Sequence, residues 1–576
     1  MMHENAGLHG GPSTQQAAEQ EDVKENKSPG SDTPNILPLL LIAWILFLTK
    51  GFLYSSITPL WEGVDEPFHF AYVHSLAAGG SLPVWGETFV DADIAQSTAY
   101  LPLPPLMPQL TGESEKFSYL EYWRMQPERR QELRRALDAL QADADALNPS
   151  SARLYQVQHP PLYYLLCVPV LELLNPLNLV DKVYALRLFS VFLASLSLLA
   201  AAPVAKRNFS AGITLAALAA LWPVLYIDVA RVGNDSLGAA IFSLLFCALV
   251  FYSERKTPLR AALIGALLGL GLLTKAYFLT AIPAIAVSLA ILAASERDRW
   301  KRPLIDGCII FASAAAIGGW WYVRNYMLYG TFSGLQESIY FPSVGLIEKM
   351  RATLDVSWPL LIKHLFVTFS WVSGWSFLHL PKPAYLIFAA GFILAAAGLV
   401  KYLLAGNRRK EDLCMRHALV AAGLLFLFFS AGVAYHQVNV MATVKVMGGP
   451  GGWYFYALVI PISFVAAFAV VKLQGALARW AFLLFSGALF VVELFGFFSM
   501  LLPYYAGFAV PAADGWGVAP ANAGAIPLNE ALWRLLANKP DFLSPSVLAV
   551  SAATYIILYL LLMLIWSRNT LVKASS

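Results

Sequence analysis

A chain of 576 residues that is 58% hydrophobic and only 13% charged carries too much apolar surface to persist in water as a soluble domain, so it belongs in a membrane. Its net charge of +3 is scattered between apolar runs, which excludes a basic nucleic-acid-binding face, and no GxGxxG or GxxxxGK[ST] element offers a nucleotide cradle. The four cysteines, Cys167, Cys247, Cys308 and Cys414, lack metal-ligand spacing and read as small buried hydrophobes.

Residues 1–34 are polar and poor in aromatics, and are expected to form a disordered cytoplasmic tail. No basic start followed by an apolar stretch and a small-residue cleavage site precedes the first apolar run, 36–54, which is therefore expected to stay as the first span. Directly after it comes WEGVDEPFHFAYVHSLAAGGSLPVW, with Asp65 and Glu66 at the lipid–water boundary. A carboxylate pair there is costly without a task. Phe70, Val73, Leu76 and Ala77 have helical spacing, and Gly79 and Gly80 supply a stop, so a helix over 66–78 lying on the membrane surface is expected. Asp65 would stand at its start, where the helix dipole favours a charged carboxylate; the simpler reading is a helix cap.

The charged stretch 116–147 reads as a solvated amphipathic helix. Segment 160–174 is apolar enough to be a candidate span, but crossing there would place every later basic cluster outside. It is expected to lie along the outer surface instead. Further spans are expected at 186–205, 211–229, 236–253, 259–275, 277–294, 304–323, 384–400, 417–435, 453–471, 480–502 and 546–566, about twelve in all. Short inner loops then hold Lys206 and Arg207; Arg255, Lys256 and Arg260; Arg297, Arg299, Lys301 and Arg302; Arg408, Arg409 and Lys410; and Lys472 and Arg479. Short outer loops carry only Arg231, Lys275 and Lys445. Both termini, including 571–576, are thus expected to be cytoplasmic, with a single membrane domain over 35–570 and long outer segments at 55–185, 324–383 and 503–545.

The Asp65–Glu66 pair outside the first span, followed by a surface helix and a GGSLP exit, resembles the GT-C superfamily of polyprenol-phosphate-sugar-dependent glycosyltransferases. Four further elements strengthen the likeness: QHPPLYYLL with His159, Arg187 in YALRLFSVFL, ARVGNDSLGA with Arg231, Asn234 and Asp235, and LLTKAYFL with Lys275. WYVRNYMLYG, with Arg324 and Asn325, resembles the span end that begins a second outer loop. The likeness covers roughly residues 36–470 and is nearest in style to a bacterial group of predicted polytopic membrane proteins. Where such proteins often carry Gly-Arg-Tyr, this chain has Gly452, Trp453 and Tyr454.

The resemblance implies an all-α, GT-C-like polytopic transmembrane helix bundle with juxtamembrane helices, in a bacterial inner (plasma) membrane. It implies inverting transfer of a sugar from a polyprenyl-phosphate carrier to a hydroxyl of a glycan, lipid or protein acceptor on the outer face. Asp65 would be the base and Glu66 the second catalytic carboxylate, with Lys275, Arg231 and Arg324 meeting the departing phosphate. Glu66, His69 and Asp235 would position the acceptor or hold a divalent cation, and no soluble cofactor is needed. His159, Arg187, Asn234, Asn325, Trp453 and Tyr454 complete the expected substrate-binding set. Rival readings are a transporter or flippase of a lipid-linked glycan precursor, and a scaffold whose outer loops bind partners.

Overall fold

The computed structural model describes residues 36–112, 116–295, 301–341, 344–404, 411–447, 450–473, 475–521 and 527–572. The expected tail at 1–34, most of 571–576, and the basic residues Arg297, Arg299, Arg408, Arg409 and Lys410 lie outside them.

Ten helices among the described residues are long and apolar enough to cross a membrane, from Leu37–Ile57 to Pro545–Asn569, and they match ten of the expected spans. The architecture is an all-α polytopic bundle; its only strands among the described residues form two antiparallel ribbons, Phe89–Asp91 with Pro149–Arg153 and Ala509–Pro511 with Val518–Pro520.

The other two expected spans are corrected. Span 211–229 is broken: helix Phe209–Leu221 stops at Trp222, which is extended (φ −64°, ψ 121°), and a short helix Pro223–Val229 follows. The cause is Pro223, whose ring excludes helical backbone at the residue before it and removes an amide donor. Span 259–275 is helical only over Pro258–Leu272, about 22 Å at 1.5 Å per residue. Lys275 beyond it is extended (φ −158°, ψ 144°). Both truncated helices therefore end in irregular backbone below the same group of loops.

Segment 160–174 forms helix Leu162–Leu173, roughly 18 Å long and too short to span. It packs on helix Glu66–Gly79 through Tyr164 while Leu165, Leu166 and Leu173 stay exposed, an arrangement suited to an interface. Helix Glu66–Gly79 is itself buried along most of its length, not laid open on a surface as expected. The charged stretch 116–147 is split at Pro127 into Tyr119–Arg124, which a Ser118/Glu121 capping box starts, and Pro127–Asp138. Of the cysteines, Cys167 and Cys247 are buried as expected, whereas Cys308 is exposed and Cys414 partly so.

The three long segments 55–185, 324–383 and 503–545 interlock into one cap. Glu62, completely buried, accepts hydrogen bonds from Tyr119 Oη (2.7 Å), Ser376 N (2.9 Å) and Ser376 Oγ (2.9 Å). Its backbone oxygen also takes Trp375 N–H at 2.7 Å, and Arg134 donates to Ala537 O at 2.7 Å. Burial pushes the Glu62 carboxyl up to about 7 against the pull of those donors.

Candidate functional site

The turn between helices Pro223–Val229 and Asp235–Glu254 sets Asp228 and Asp235 on either side of Arg231. Arg231 Nη2 donates to Asp228 Oδ1 at 2.9 Å and to Asp235 Oδ2 at 2.7 Å, while Nη1 reaches Val64 O at 2.8 Å. Lys275 closes the cluster from the end of the second truncated helix, donating to Asp235 Oδ1 at 2.6 Å, with its ammonium 5.0 Å from the Tyr454 ring centroid. Asn234 Nδ2 binds Thr274 O at 3.1 Å and so ties the two truncated ends together; its Oδ1 is buried and has no partner. Two cations and two carboxylates balance within this group.

Asp65 is the additional negative charge beside it, one residue from the carbonyl that Arg231 grips. It is only partly buried and holds left-handed backbone (φ 59°, ψ 12°), a conformation costing a non-glycine residue roughly 1 kcal/mol. It stands at the start of helix Glu66–Gly79, yet its side chain makes no cap. Its Oδ2 instead accepts Gln156 Nε2 at 2.9 Å. Burial pushes the Asp65 carboxyl up, while the Tyr155 hydroxyl and the charges of Arg231 and Lys275 pull it partly back. A carboxyl held in a partly dry, strained position beside fixed cations has the properties of a proton acceptor.

Glu66 is placed differently. It is fully buried and bound by Arg187 through Nε (2.7 Å) and Nη2 (2.5 Å), and its Oε1 also takes Val232 N–H at 3.0 Å. Arg187 spends its remaining donors on Ser55 O, Thr58 O and Pro59 O. The pair therefore fastens the end of the first span to the Arg231 turn, and both carboxylate oxygens are occupied.

His69 Nδ1 lies 2.8 Å from Tyr164 Oη, and its ring stacks on His159 at 5.7 Å. Burial, then the nearby Arg231, pushes the His69 imidazole well down; burial and Lys275 push His159 down to about 3. Both are neutral at pH 7. Arg324 donates to Pro83 O at 2.9 Å and lies over the Trp321 ring, while Asn325 packs on Gly334. These two contact the GGSLP exit and the 330–334 turn, on the flank of the cluster. Trp453 sits 6.0 Å from the Phe377 ring and 5.9 Å from Tyr454.

Among the described residues no three of His, Cys, Asp or Glu converge to hold a metal ion, and both oxygens of Asp235 are engaged by cations. Asp228, Tyr155 and Gln156 belong to the site without having been singled out in the sequence. The signal for Asp228 is an acidic residue inside an apolar run just after Trp222–Pro223.

Beside Tyr454, Phe455 lines an apolar groove of about 440 Å³ with Trp358, Leu365 and Phe366. A second groove of about 300 Å³, running past Trp222 and Leu419, shares Phe392, Phe426 and Ile462 with it. The two grooves together form an apolar trough that follows the long helices Tyr385–Leu404 and Glu411–Val444; no residue of the charged cluster lines it.

No curated protein matches the sequence. Among solved structures the chain is similar to ArnT from Cupriavidus metallidurans bound to undecaprenyl phosphate, at 13% identity and a TM-score of 0.45, over 93% of this chain and 77% of that one. A family profile described as predicted membrane protein (DUF2142) matches residues 46–462. That match takes in the second half of the first span, the truncated helices and the whole cluster, and the chain belongs to the predicted membrane protein family DUF2142.

Proposed function

We propose that the protein transfers a sugar from a polyprenyl-phosphate carrier to an acceptor hydroxyl at the outer face of a bacterial inner membrane, with inversion. The observation that carries this reading is the placement of strained, partly exposed Asp65 beside Arg231 and Lys275. Asp65 takes the proton from the acceptor hydroxyl as that oxygen bonds to the anomeric carbon. The bond from that carbon to the carrier phosphate breaks, and the phosphate leaves as an anion. Lys275, the more accessible of the two cations, meets that charge, and the lipid chain lies in the trough. Glu66 acts through Arg187 as a positioning residue. Lys206 and Arg207 stand at the end of their helix remote from the cap, which supports placing the cap outside.

The test is transfer by purified protein from a panel of polyprenyl-phosphate sugars, comparing wild type with Asp65→Asn and Lys275→Met. Each variant should lose at least about a hundredfold in rate. Equal turnover by wild type and Asp65→Asn would discard the base assignment. The broken helix at Trp222–Pro223 also suits a flippase, whose lipid translocation should survive Asp65→Asn.

A further inference from the structure

Near the end of the first outer segment, Tyr155–Gln158 form a short 3-10 turn that carries one side chain inward to Asp65. The turn is fixed from several sides. Leu154 N donates to Thr88 O at 3.0 Å, and the Tyr155 ring lies 4.4 Å from that of Phe68. His159 N closes the turn onto Gln156 O at 3.0 Å, and Gln336 N of the second outer segment donates to Gln158 Oε1 at 3.3 Å. Gln158 is thereby spent on the cap, whereas Gln156 is buried and faces the charged cluster.

Gln156 Nε2 donates to Asp65 Oδ2 at 2.9 Å, while its Oε1 is buried and has no partner among the described residues. An ionised carboxylate only accepts, so the amide turns its nitrogen to Asp65 and its oxygen away. The orphaned oxygen lowers stability, and a leucine of similar size would not carry that cost. Stability therefore explains this side chain poorly, and the bond to Asp65 explains it well. Asp65 makes no cap on its own helix, so nothing local orients its carboxyl. A donor on Oδ2 restricts rotation of the group and favours its charged, proton-accepting form against the burial that pushes it toward neutrality.

We propose that Gln156 is a positioning residue for the base: its amide anchors Asp65 Oδ2 and leaves Oδ1 to take the proton of the acceptor hydroxyl. The role rests on the reading of Asp65 as the base.

The test reads Asp65 directly and then through transfer. In full-length protein in detergent, infrared pH titration isolates the Asp65 carboxyl as the difference between wild type and Asp65→Asn. In Gln156→Leu its midpoint should move up by about half a pH unit or more, and in the isosteric Gln156→Glu further still, because a second carboxylate opposes ionisation. Melting temperature of Gln156→Leu should stay within about 2 °C of wild type, since an unmet acceptor leaves together with the bond. Should that variant fail to fold, Gln156→Glu carries both readouts. With the polyprenyl-phosphate sugars, Gln156→Leu should lose about tenfold or more in kcat with KM for the donor within about twofold, and the acid limb of its rate profile should follow the titration. An unmoved titration in the folded variants overturns the proposal, as does wild-type kcat in Gln156→Leu when Asp65→Asn is inactive. A shifted titration combined with full transfer by Asp65→Asn refutes the base assignment and the positioning role with it, while confirming the bond itself.

Discussion

Replacing Glu66 by Gln probes the electrostatic fastening between the first span and the Arg231 turn. Three donors converge on the Glu66 carboxylate, namely Arg187 Nε, Arg187 Nη2 and Val232 N. An amide offers one acceptor oxygen where the carboxylate offers two, so in either orientation it turns an N–H toward a donor. The substitution also leaves the Arg187 guanidinium, 1% exposed, without a counter-charge. Breaking one partner of a buried pair costs about 3–5 kcal/mol, and the three carbonyls that also hold Arg187 keep it from escaping to solvent. Arg187→Met should cost a similar amount by stranding the carboxylate.

Unfolding in mixed detergent micelles with increasing SDS fraction measures these losses. The double variant Glu66→Leu/Arg187→Met removes both charges together, and should recover at least about 2 kcal/mol relative to the sum of the single changes. Single variants within about 1 kcal/mol of wild type, or strictly additive losses, would refute the coupling and with it the view of Glu66 as a positioning residue.

Glu62 links stability to pH. Its carboxyl is raised from an ordinary 4.5 to about 7, so the fold favours the protonated form; that stabilisation is complete below pH 4.5 and is lost as pH rises through 7. Micellar unfolding should show wild type less stable at pH 8 than at pH 5 by up to about 3 kcal/mol, with the slope flattened in Glu62→Gln; an unchanged slope would contradict the assignment. At Asp65 the left-handed backbone should make Asp65→Gly more stable than Asp65→Ala by about 1 kcal/mol, a difference absent if the conformation is relaxed in solution. A Cβ added at Gly374 would come within 2.0 Å of Glu62 O, so Gly374→Ala should loosen the cap and cost about 2 kcal/mol or more, accompanied by faster proteolysis between residues 371 and 383.

The ten full spans could be read in the sequence because each carries its own run of apolar residues, and hydropathy needs no partner to register it. The two truncated helices could not, because the apolar run continues through Trp222–Pro223 and through Leu272–Leu273 after the helical backbone has stopped. The same blindness hid Asp228, which fell inside an expected span. Asp65 stood out as a charge at a boundary, and its neighbours Gln156 and Tyr155 did not, since they arrive from 91 and 90 positions away on the far side of a long loop. Glu66 looked like half of a catalytic pair because its counter-ion, Arg187, lies 121 residues along the chain. Adjacency in sequence suggested a dyad; contact in space gives the two carboxylates different surroundings.

The broken backbone and the charged cluster are parts of one arrangement. Irregular chain at membrane depth persists only where the freed polar groups find partners inside the protein. Here Lys50 Nζ reaches Leu221 O, at the broken end of the first truncated helix, at 3.0 Å, and pairs with Glu493 at 2.8 Å. At the second truncated end, Leu273 O accepts Leu162 N–H at 2.9 Å and Thr274 O accepts Asn234 Nδ2. Had these helices run their full length, Arg231 and Lys275 would sit on helical backbone with side chains directed by the helical repeat. Ending them early turns Arg231 toward Val64 O and brings Lys275 to Asp235, which is how residues from separate spans gather around one carboxyl.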